Sequence, residues 1–191
     1  MDEMIRTISK QPEALDLFIA YCKEQEPALL PEIYATGHLD DRAFLHKFTS
    51  AYQQPTLPGK IEGFERLAGE LASNKEKAFE RSLAQEQATL LQLQKSLDNS
   101  LKKDVNLQFV GKSVSDTIFH LIRIGASKQA RQVQETFSVP DNRFWWITIR
   151  ALASIPDWDA LFAFSKDKKS PVGYAVRPFD CSSRKGSNLF C

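Results

Sequence analysis

The sequence predicts an all-α protein, an α-solenoid of stacked helical hairpins. Apolar residues recur three or four positions apart, which is the period of a helix, and strict apolar–polar alternation is rare. Glycine is scarce, with 8 in 191 residues. Two helix–turn–helix units also follow one another, with turns at 125–127 and 154–156. Such units bury the open face of each hairpin on the next.

Composition and charge exclude several classes of protein. Hydrophobic residues make up 42% of the chain and charged residues 26%, which is ordinary globular usage and argues against a disordered or fibrous chain. The net charge of +1 argues against chain-wide attraction to nucleic acid. Three scattered cysteines show no disulfide or zinc spacing and favour a reducing, cytoplasmic setting. The N-terminus lacks an apolar signal core, and no apolar run is long enough to cross a bilayer.

Residues 1–54 are predicted to be an N-terminal helical segment of the solenoid. One helix follows Pro12, a short one ends at Gly37, and a third is predicted to be capped by Asp40 and Asp41. Prolines and a glycine within 53–59 then predict a linker.

Residues 60–174 are predicted to form the main α-solenoid region. The stretch 61–103 indicates one long helix, or a helical hairpin that breaks near Ser73 and Asn74. An apolar stripe runs along its second half and contains Phe79, Leu83, Leu90, Leu93, Leu97 and Leu101. Some of these leucines are seven apart, but over too few repeats to establish a coiled coil, so packing within the chain is favoured.

The hairpins after residue 112 show the most regular pattern. Ser113 is predicted to cap the helix that follows it, with Asp116 three residues on. Ser138 and Ser154 also precede an aspartate by three and predict similar capping boxes. Residues 175–191 carry no helical stripe and are predicted to be a disordered, divergent tail.

The sequence predicts no catalytic residue, cofactor-binding residue or metal ligand, and therefore no enzyme. Residues 110–113 look like the end of a phosphate-binding loop, but Asn106 stands where that loop needs a glycine. A loop ending in a helix cap is the favoured interpretation. The histidines His38, His46 and His120 lack the spacing of a metal site.

The aromatic run Phe144, Trp145 and Trp146 is a candidate partner contact. Consecutive helix positions point about 100° apart, so these three side chains cannot all enter one core stripe. At least one must meet a neighbouring hairpin, a partner or water. Arg143 precedes them, and Arg and Trp are frequent in interface hot spots. Packing between adjacent hairpins remains the alternative for the tryptophans.

Two strings of residues resemble a known family. Arg143 to Trp146 spell Arg-Phe-Trp-Trp, and residues 168–174 spell Lys-Lys-Ser-Pro-Val-Gly-Tyr. Together with Asp157 to Leu161 they resemble the C-terminal region of the vacuolar protein sorting-associated protein 16 family. The resemblance is dense over 116–174, looser over 84–97 and weakest in the first fifty residues.

The resemblance implies a non-catalytic α-solenoid scaffold of the HOPS and CORVET tethering complexes. It implies recruitment of a Sec1/Munc18-type protein, vacuolar protein sorting protein 33, for SNARE-mediated fusion in vesicle trafficking. The other complex subunits would also be partners, nucleic acid would not, and membranes would be met only indirectly. The implied localisation is cytoplasmic and peripheral on late endosome and lysosome (vacuole) membranes. The implied contact residues are Leu83, Ala84, Gln87, Leu90, Arg143, Phe144, Trp145 and Trp146.

Two departures from the family pattern lead us to expect a fragment or a splice form. Family members begin with a β-propeller, which this sequence lacks, and continue with further helices where this sequence diverges after Tyr174. The alternative function is a helical-repeat module that binds nucleic acid or peptides through its tryptophans and the basic run 166–169. Nucleic-acid binding would reveal itself by an affinity that falls steeply with salt.

Overall fold

The structure is a computed structural model that describes residues 2–101, 107–155 and 158–167. All regular structure in these residues is helical, which confirms the all-α class, while stacking into a solenoid remains a prediction. The helices are α1 (Asp2–Ile8), α2 (Pro12–Gln25), α3 (Leu30–Thr36), α4 (Asp40–Tyr52), α5 (Leu57–Glu70), α6 (Ala78–Leu101), α7 (Val114–Arg123), α8 (Ser127–Thr136), α9 (Asp141–Ala153) and α10 (Trp158–Asp167). Among the described helices, none combines the length and apolarity needed to cross a membrane.

The chain divides into two compact units, residues 1–93 and 94–191, and the division falls inside α6. The segment predicted as a linker, 53–59, already contains the start of α5 at Leu57. The predicted break near Ser73 and Asn74 is confirmed, because α5 ends at Glu70 and α6 begins at Ala78. Residues 175–191, predicted as a tail, lie outside the described part of the chain.

The first three helices of unit one share a single apolar core. The apolar stripe of α2, predicted at Leu15, Phe18, Ile19 and Cys22, lies in this core with Phe18 half-buried, and α1 and α3 pack against it. The buried members of this cluster are Ile5, Leu15, Ile19, Cys22, Leu30, Ile33 and Tyr34. These short helices gain their stability from this shared burial, since an isolated helix of such length is marginal in water.

The predicted cap of α4 is wrong in detail. The N-cap residue is Leu39, whose side chain makes no capping hydrogen bond, and Asp40 and Asp41 lie inside the first turn. Carboxylates are favoured there because the helix dipole places partial positive charge at the N-terminus. The Asp41 carboxylate also accepts a hydrogen bond from Lys77 Nζ at 2.9 Å.

The predicted apolar stripe of α6 is confirmed in part. Leu90 and Leu97 are buried, and Leu93 and Leu101 are half-buried. Phe79 and Leu83 are exposed, with 76% and 38% of their surface accessible. In this first part of α6 the buried positions include Ala84 and Ala88, which face α4 and α5 residues. Small side chains at these positions let the helices approach closely.

In unit two, the sequence pattern predicts Val114, Ile118, Leu121 and Ile122 inward on α7 and Ala130, Val133 and Phe137 inward on α8. All of these are buried except Val114 and Phe137, which are half-buried. Ile118 and Leu121 on α7 are fully covered, as is Ala130 on α8. The predicted capping box at Ser138 is wrong, because Ser138 adopts a left-handed φ of 48° and the N-cap of α9 is Pro140. The box predicted at Ser154 needs a residue, number 157, that is not described.

The carboxylate of Asp98, near the end of α6, holds the start of the loop that leads into α7. Its two oxygens accept hydrogen bonds from the backbone N–H groups of Phe109 and Val110, at 2.7 and 3.2 Å. The Phe109 side chain is fully buried beside this contact. A carboxylate that accepts from backbone N–H groups forms charge-assisted bonds, which are stronger than neutral ones.

The side chain of Gln94, one turn earlier on α6, holds the end of the same loop. Gln94 Oε1 accepts from the Gly111 backbone N–H at 3.1 Å, and Nε2 donates to the Lys112 carbonyl at 2.7 Å. Nε2 also donates to Thr117 Oγ1 at 3.0 Å. The loop groups that would face a phosphate in a nucleotide-binding loop therefore bond to the chain itself.

Ser113 caps α7 as predicted. Its Oγ accepts from the Asp116 backbone N–H at 3.0 Å and donates to the Asp116 carboxylate at 2.8 Å. A cap of this kind contributes about 1 kcal/mol to helix stability. The helix-cap interpretation of residues 110–113 is confirmed.

We predict that Gln94→Ala lowers the free energy of unfolding by about 1–3 kcal/mol, because it removes three hydrogen bonds that join α6 to the loop and to α7. Gln92→Ala is the matched control on the same helix. Gln92 is exposed and donates to Glu65 at 2.6 Å, so its loss should cost about 0.5 kcal/mol or less. Urea denaturation measures both, and equal losses would contradict the assigned role of Gln94.

Two of the three glycines inside α5, Gly63 and Gly69, provide a second matched pair. A Cβ at Gly63 would lie 3.0 Å from Ala51 Cβ and 3.2 Å from Ala51 Cα, whereas a Cβ at Gly69 meets nothing within 4 Å. We predict that Gly69→Ala stabilises the protein by about 0.5–1 kcal/mol through helix propensity. Gly63→Ala should destabilise it, because α4 and α5 must move apart. Thermal unfolding that shows the same gain for both variants would refute this close approach.

Candidate partner-binding site

Helices α7 and α9 lie side by side in unit two, and a polar contact joins their N-terminal ends. Arg143 Nη2, in the first turn of α9, donates to Ser115 Oγ on α7 at 3.0 Å. Arg143 is exposed, and its backbone N–H is held by Asn142 Oδ1 at 2.7 Å. This contact fixes one guanidinium on the outer surface where the two helices meet.

A second contact joins the same helices further along. The ring of Phe119 on α7 lies 5.7 Å from the guanidinium carbon of Arg123 and 5.7 Å from that of Arg150 on α9. Both distances fall within the range of cation–π attraction. Phe119 is half-buried, whereas both arginines are exposed. One aromatic ring thus positions two positive charges.

The aromatic run on α9 divides between core and surface. Trp145 is buried and packs against Phe164, with ring centroids 6.5 Å apart, and edge-on against Trp146 at 5.1 Å. Trp146 keeps 51% of its surface exposed. Phe144 is half-buried, with the guanidinium of Arg131 5.8 Å from its ring. Trp146 is therefore the member of the run that a partner can reach directly.

Six residues form one continuous surface, which we call the α7–α9 strip. Trp146 lies three positions after Arg143 and four before Arg150, so all three share one face of α9. Ser115, Phe119 and Arg123 recur every four positions along α7. The members are Ser115, Phe119, Arg123, Arg143, Trp146 and Arg150.

The strip carries positive charge that the described residues do not neutralise. None of its three arginines has a carboxylate within salt-bridge distance in the described part of the chain. Over 94–101, 107–155 and 158–167 there are eight Lys and Arg residues against six Asp and Glu residues. Of those six acids, Asp98, Asp116 and Asp141 accept hydrogen bonds within the fold. The strip itself contains three arginines and no acidic residue.

His120, next to the strip, adds no charge near neutral pH. Burial lowers the pKa of His120, and the nearby charges of Lys112 and Arg123 lower it further, against a smaller opposing effect of Asp116. Its ring packs edge-on against Phe119, with centroids 5.3 Å apart. The neutral imidazole serves as a packing group beside the Phe119 contact.

Two of the residues predicted on α6 cannot touch a partner in this conformation. Ala84 is fully buried beside Phe44 and Leu67, and Leu90 is only 6% exposed. Leu83 is exposed and Gln87 is half-buried, so these two side chains are accessible. Direct contacts at Ala84 and Leu90 stay a prediction, and they would require these buried positions to become accessible.

Sequence analysis did not single out Ser115, Phe119, Arg123 or Arg150. The signal was present in the spacing, since arginines seven apart on α9 flank an exposed tryptophan. What the sequence could not supply was the pairing of α7 with α9. Only that pairing brings Arg150 to Phe119.

The described residues offer little for catalysis or metal binding. Within them, no group of three or more His, Cys, Asp and Glu side chains is placed to hold a metal ion. Cys22 is buried, and this burial, with the charge of Glu26, raises the pKa of its thiol. A raised pKa disfavours the thiolate, which is the reactive form of cysteine.

Comparisons with known proteins match the chain to one family. The family model described as Vps16, C-terminal region, matches residues 1–188, a range that extends past Tyr174. The vacuolar protein sorting-associated protein 16 homolog of Dictyostelium discoideum is 36% identical over 170 residues, which cover 84% of this chain and 20% of that protein. The VACUOLELESS1 protein of Arabidopsis thaliana is 35% identical over 187 residues, covering 93% of this chain and 21% of that protein.

A third relative extends the comparison to animals. The vacuolar protein sorting-associated protein 16 homolog of Drosophila melanogaster is 33% identical over 168 residues, covering 88% of this chain and 19% of that protein. The chain thus spans about a fifth of the length of the curated relatives it matches. Since the family model covers nearly every residue, the chain belongs to the Vps16 C-terminal region family.

Proposed function

We propose that this chain is a non-catalytic, partner-binding region of a vacuolar protein sorting subunit. In this role it acts within a tethering complex of the HOPS or CORVET type and recruits a Sec1/Munc18-type protein for SNARE-mediated fusion. Membership of the Vps16 C-terminal region family supports the sorting role. The complex brings the chain to the late endosomal or lysosomal (vacuolar) membrane, so the chain itself touches the membrane only indirectly.

The observation that carries this proposal is the state of Arg143. Its guanidinium is exposed, is held in place by Ser115, and has no carboxylate partner among the described residues. A positioned arginine without an internal counter-charge can bind an acidic group of another protein. Because its geometry exists before binding, little side-chain freedom is lost in the complex.

Trp146 adds an apolar anchor one turn from Arg143. Half of its surface remains exposed, although a tryptophan gains much by burial. Trp145 packs edge-on against Trp146 and positions it. Phe144 is half-buried and remains a proposed contact. Leu83 and Gln87 remain proposed contacts on α6, whereas Ala84 and Leu90 act by packing.

We predict that Arg143→Glu weakens binding of the Sec1/Munc18-type protein, vacuolar protein sorting protein 33, by about 100-fold or more. The substitution replaces an attraction at the interface by a repulsion, which typically costs about 2–5 kcal/mol. Isothermal titration or quantitative pull-down measures the affinity, and circular dichroism checks that helicity is retained.

Lys128→Glu is the matched control, since it makes the same charge change on α8, at an exposed position outside the strip. Its affinity should stay within about threefold of the parent. Unchanged binding by Arg143→Glu, or equal losses for both variants, would refute the proposed role of Arg143.

A further inference from the structure

We infer that the α7–α9 strip recognises a partner helix that carries two acidic residues seven positions apart with an apolar residue between them. The inference rests on the proposed function and specifies the chemistry of the surface that the partner presents. It is drawn from three features of the strip: two separate positive sites, an apolar group between them, and the lack of counter-charges among the residues that the structure describes.

The two positive sites have a defined separation. Arg143 forms the first site, and Arg123 with Arg150 forms the second at the ring of Phe119. Arg143 and Arg150 lie seven residues apart on α9, which corresponds to about 10 Å along the helix axis. Carboxylates seven positions apart on a partner helix have the same spacing and lie on one face of that helix.

The second site is suited to a carboxylate because two guanidinium groups are held at one ring. Both guanidinium carbons lie 5.7 Å from the same ring centroid, so a carboxylate that approaches this ring is attracted by two positive charges. A guanidinium also binds carboxylate through parallel hydrogen bonds, which a flexible lysine does not reproduce. Because Phe119 already positions Arg123 and Arg150, these side chains lose less conformational entropy when a partner binds.

Trp146 is the reason that the partner helix needs an apolar residue between its two acids. It lies between Arg143 and Arg150 on the same face of α9 and is half exposed. A partner residue three or four positions after the first acid would lie opposite this ring. Leucine or methionine at that position would bury the exposed part of the indole.

Charge complementarity argues for an acidic protein segment rather than nucleic acid. The strip has three arginines, and the whole chain has a net charge of only +1. Nucleic-acid binding relies on many phosphate contacts along an extended basic surface. An exposed tryptophan between two point-like sites fits discrete carboxylates better than a continuous phosphate backbone.

The first test compares Arg150→Glu with Lys128→Glu in the full chain, with vacuolar protein sorting protein 33 as the probe. We expect Arg150→Glu to weaken binding by about tenfold or more, which corresponds to about 1.4 kcal/mol. Lys128→Glu should have little effect. Arg150→Gln, which removes the charge without inverting it, should give a smaller loss and guards against misfolding of the reversal variant.

The second test uses a synthetic helical peptide with Glu at positions 1 and 8 and Leu at position 4 of its exposed face. Fluorescence anisotropy should show binding to the parent chain and loss of binding to Arg150→Glu. A peptide with Lys at position 8 should show the reverse preference. If the peptide with Lys at position 8 does not bind Arg150→Glu better than it binds the parent chain, the inferred spacing is wrong.

The outcomes separate this inference from the proposed function. If Arg143→Glu abolishes partner binding but Arg150→Glu does not, the recruitment role stands and the two-site recognition is wrong. If neither variant affects binding, both are wrong. If single-stranded RNA displaces the peptide with a steep dependence on salt, the strip binds nucleic acid and the inference is overturned.

Discussion

The hydrogen bonds that Gln94 and Asp98 make to the loop before α7 are the constraint on which unit two depends. Four consecutive loop residues, 109–112, are bonded to these two side chains, so the path of the chain from α6 into α7 is fixed. Gln94 is fully buried and also contacts α7 directly through Thr117. An amide or carboxylate in the interior is tolerated only when its hydrogen-bonding groups are satisfied, and here they are.

The position of α7 then determines the surface that it forms with α9. Ser115 and Phe119 lie on the edge of α7 that borders its buried face, and each contacts an arginine of α9. A shift of α7 by one residue would rotate both side chains by about 100° and separate them from their arginines. The polar loop contacts and the apolar core therefore act together to build the strip.

The helix period and the turn residues predicted the elements of unit two well, because these signals are local. Ser113 and Asp116 are close in sequence, and their cap formed as predicted. The 100° spacing of consecutive residues also predicted that Phe144, Trp145 and Trp146 could not all be buried together. It did not predict that Trp145 would be the buried one. Local signals do not determine which helices become neighbours. For this reason the sequence did not predict the contact between Phe119 and Arg150.

The incorrect core assignments in unit one also arise because sequence does not determine which helices become neighbours. Phe79 and Leu83 look like core residues on any hydrophobicity scale, yet close packing of α4, α5 and α6 favours small side chains at the contact, as at Ala84 and Gly63. Because this packing covers Ala84, its side chain is not accessible on the surface. Tertiary packing, rather than the residue type alone, decides whether such a position belongs to the core or the surface.

Hydrogen–deuterium exchange of the chain, free and saturated with the proposed Sec1/Munc18-type partner, tests the central claim most directly. The account predicts that the partner slows exchange in peptides covering 115–123 and 143–150, while peptides from α8 change little. Binding that leaves both of these segments unprotected would contradict the α7–α9 strip as the docking surface.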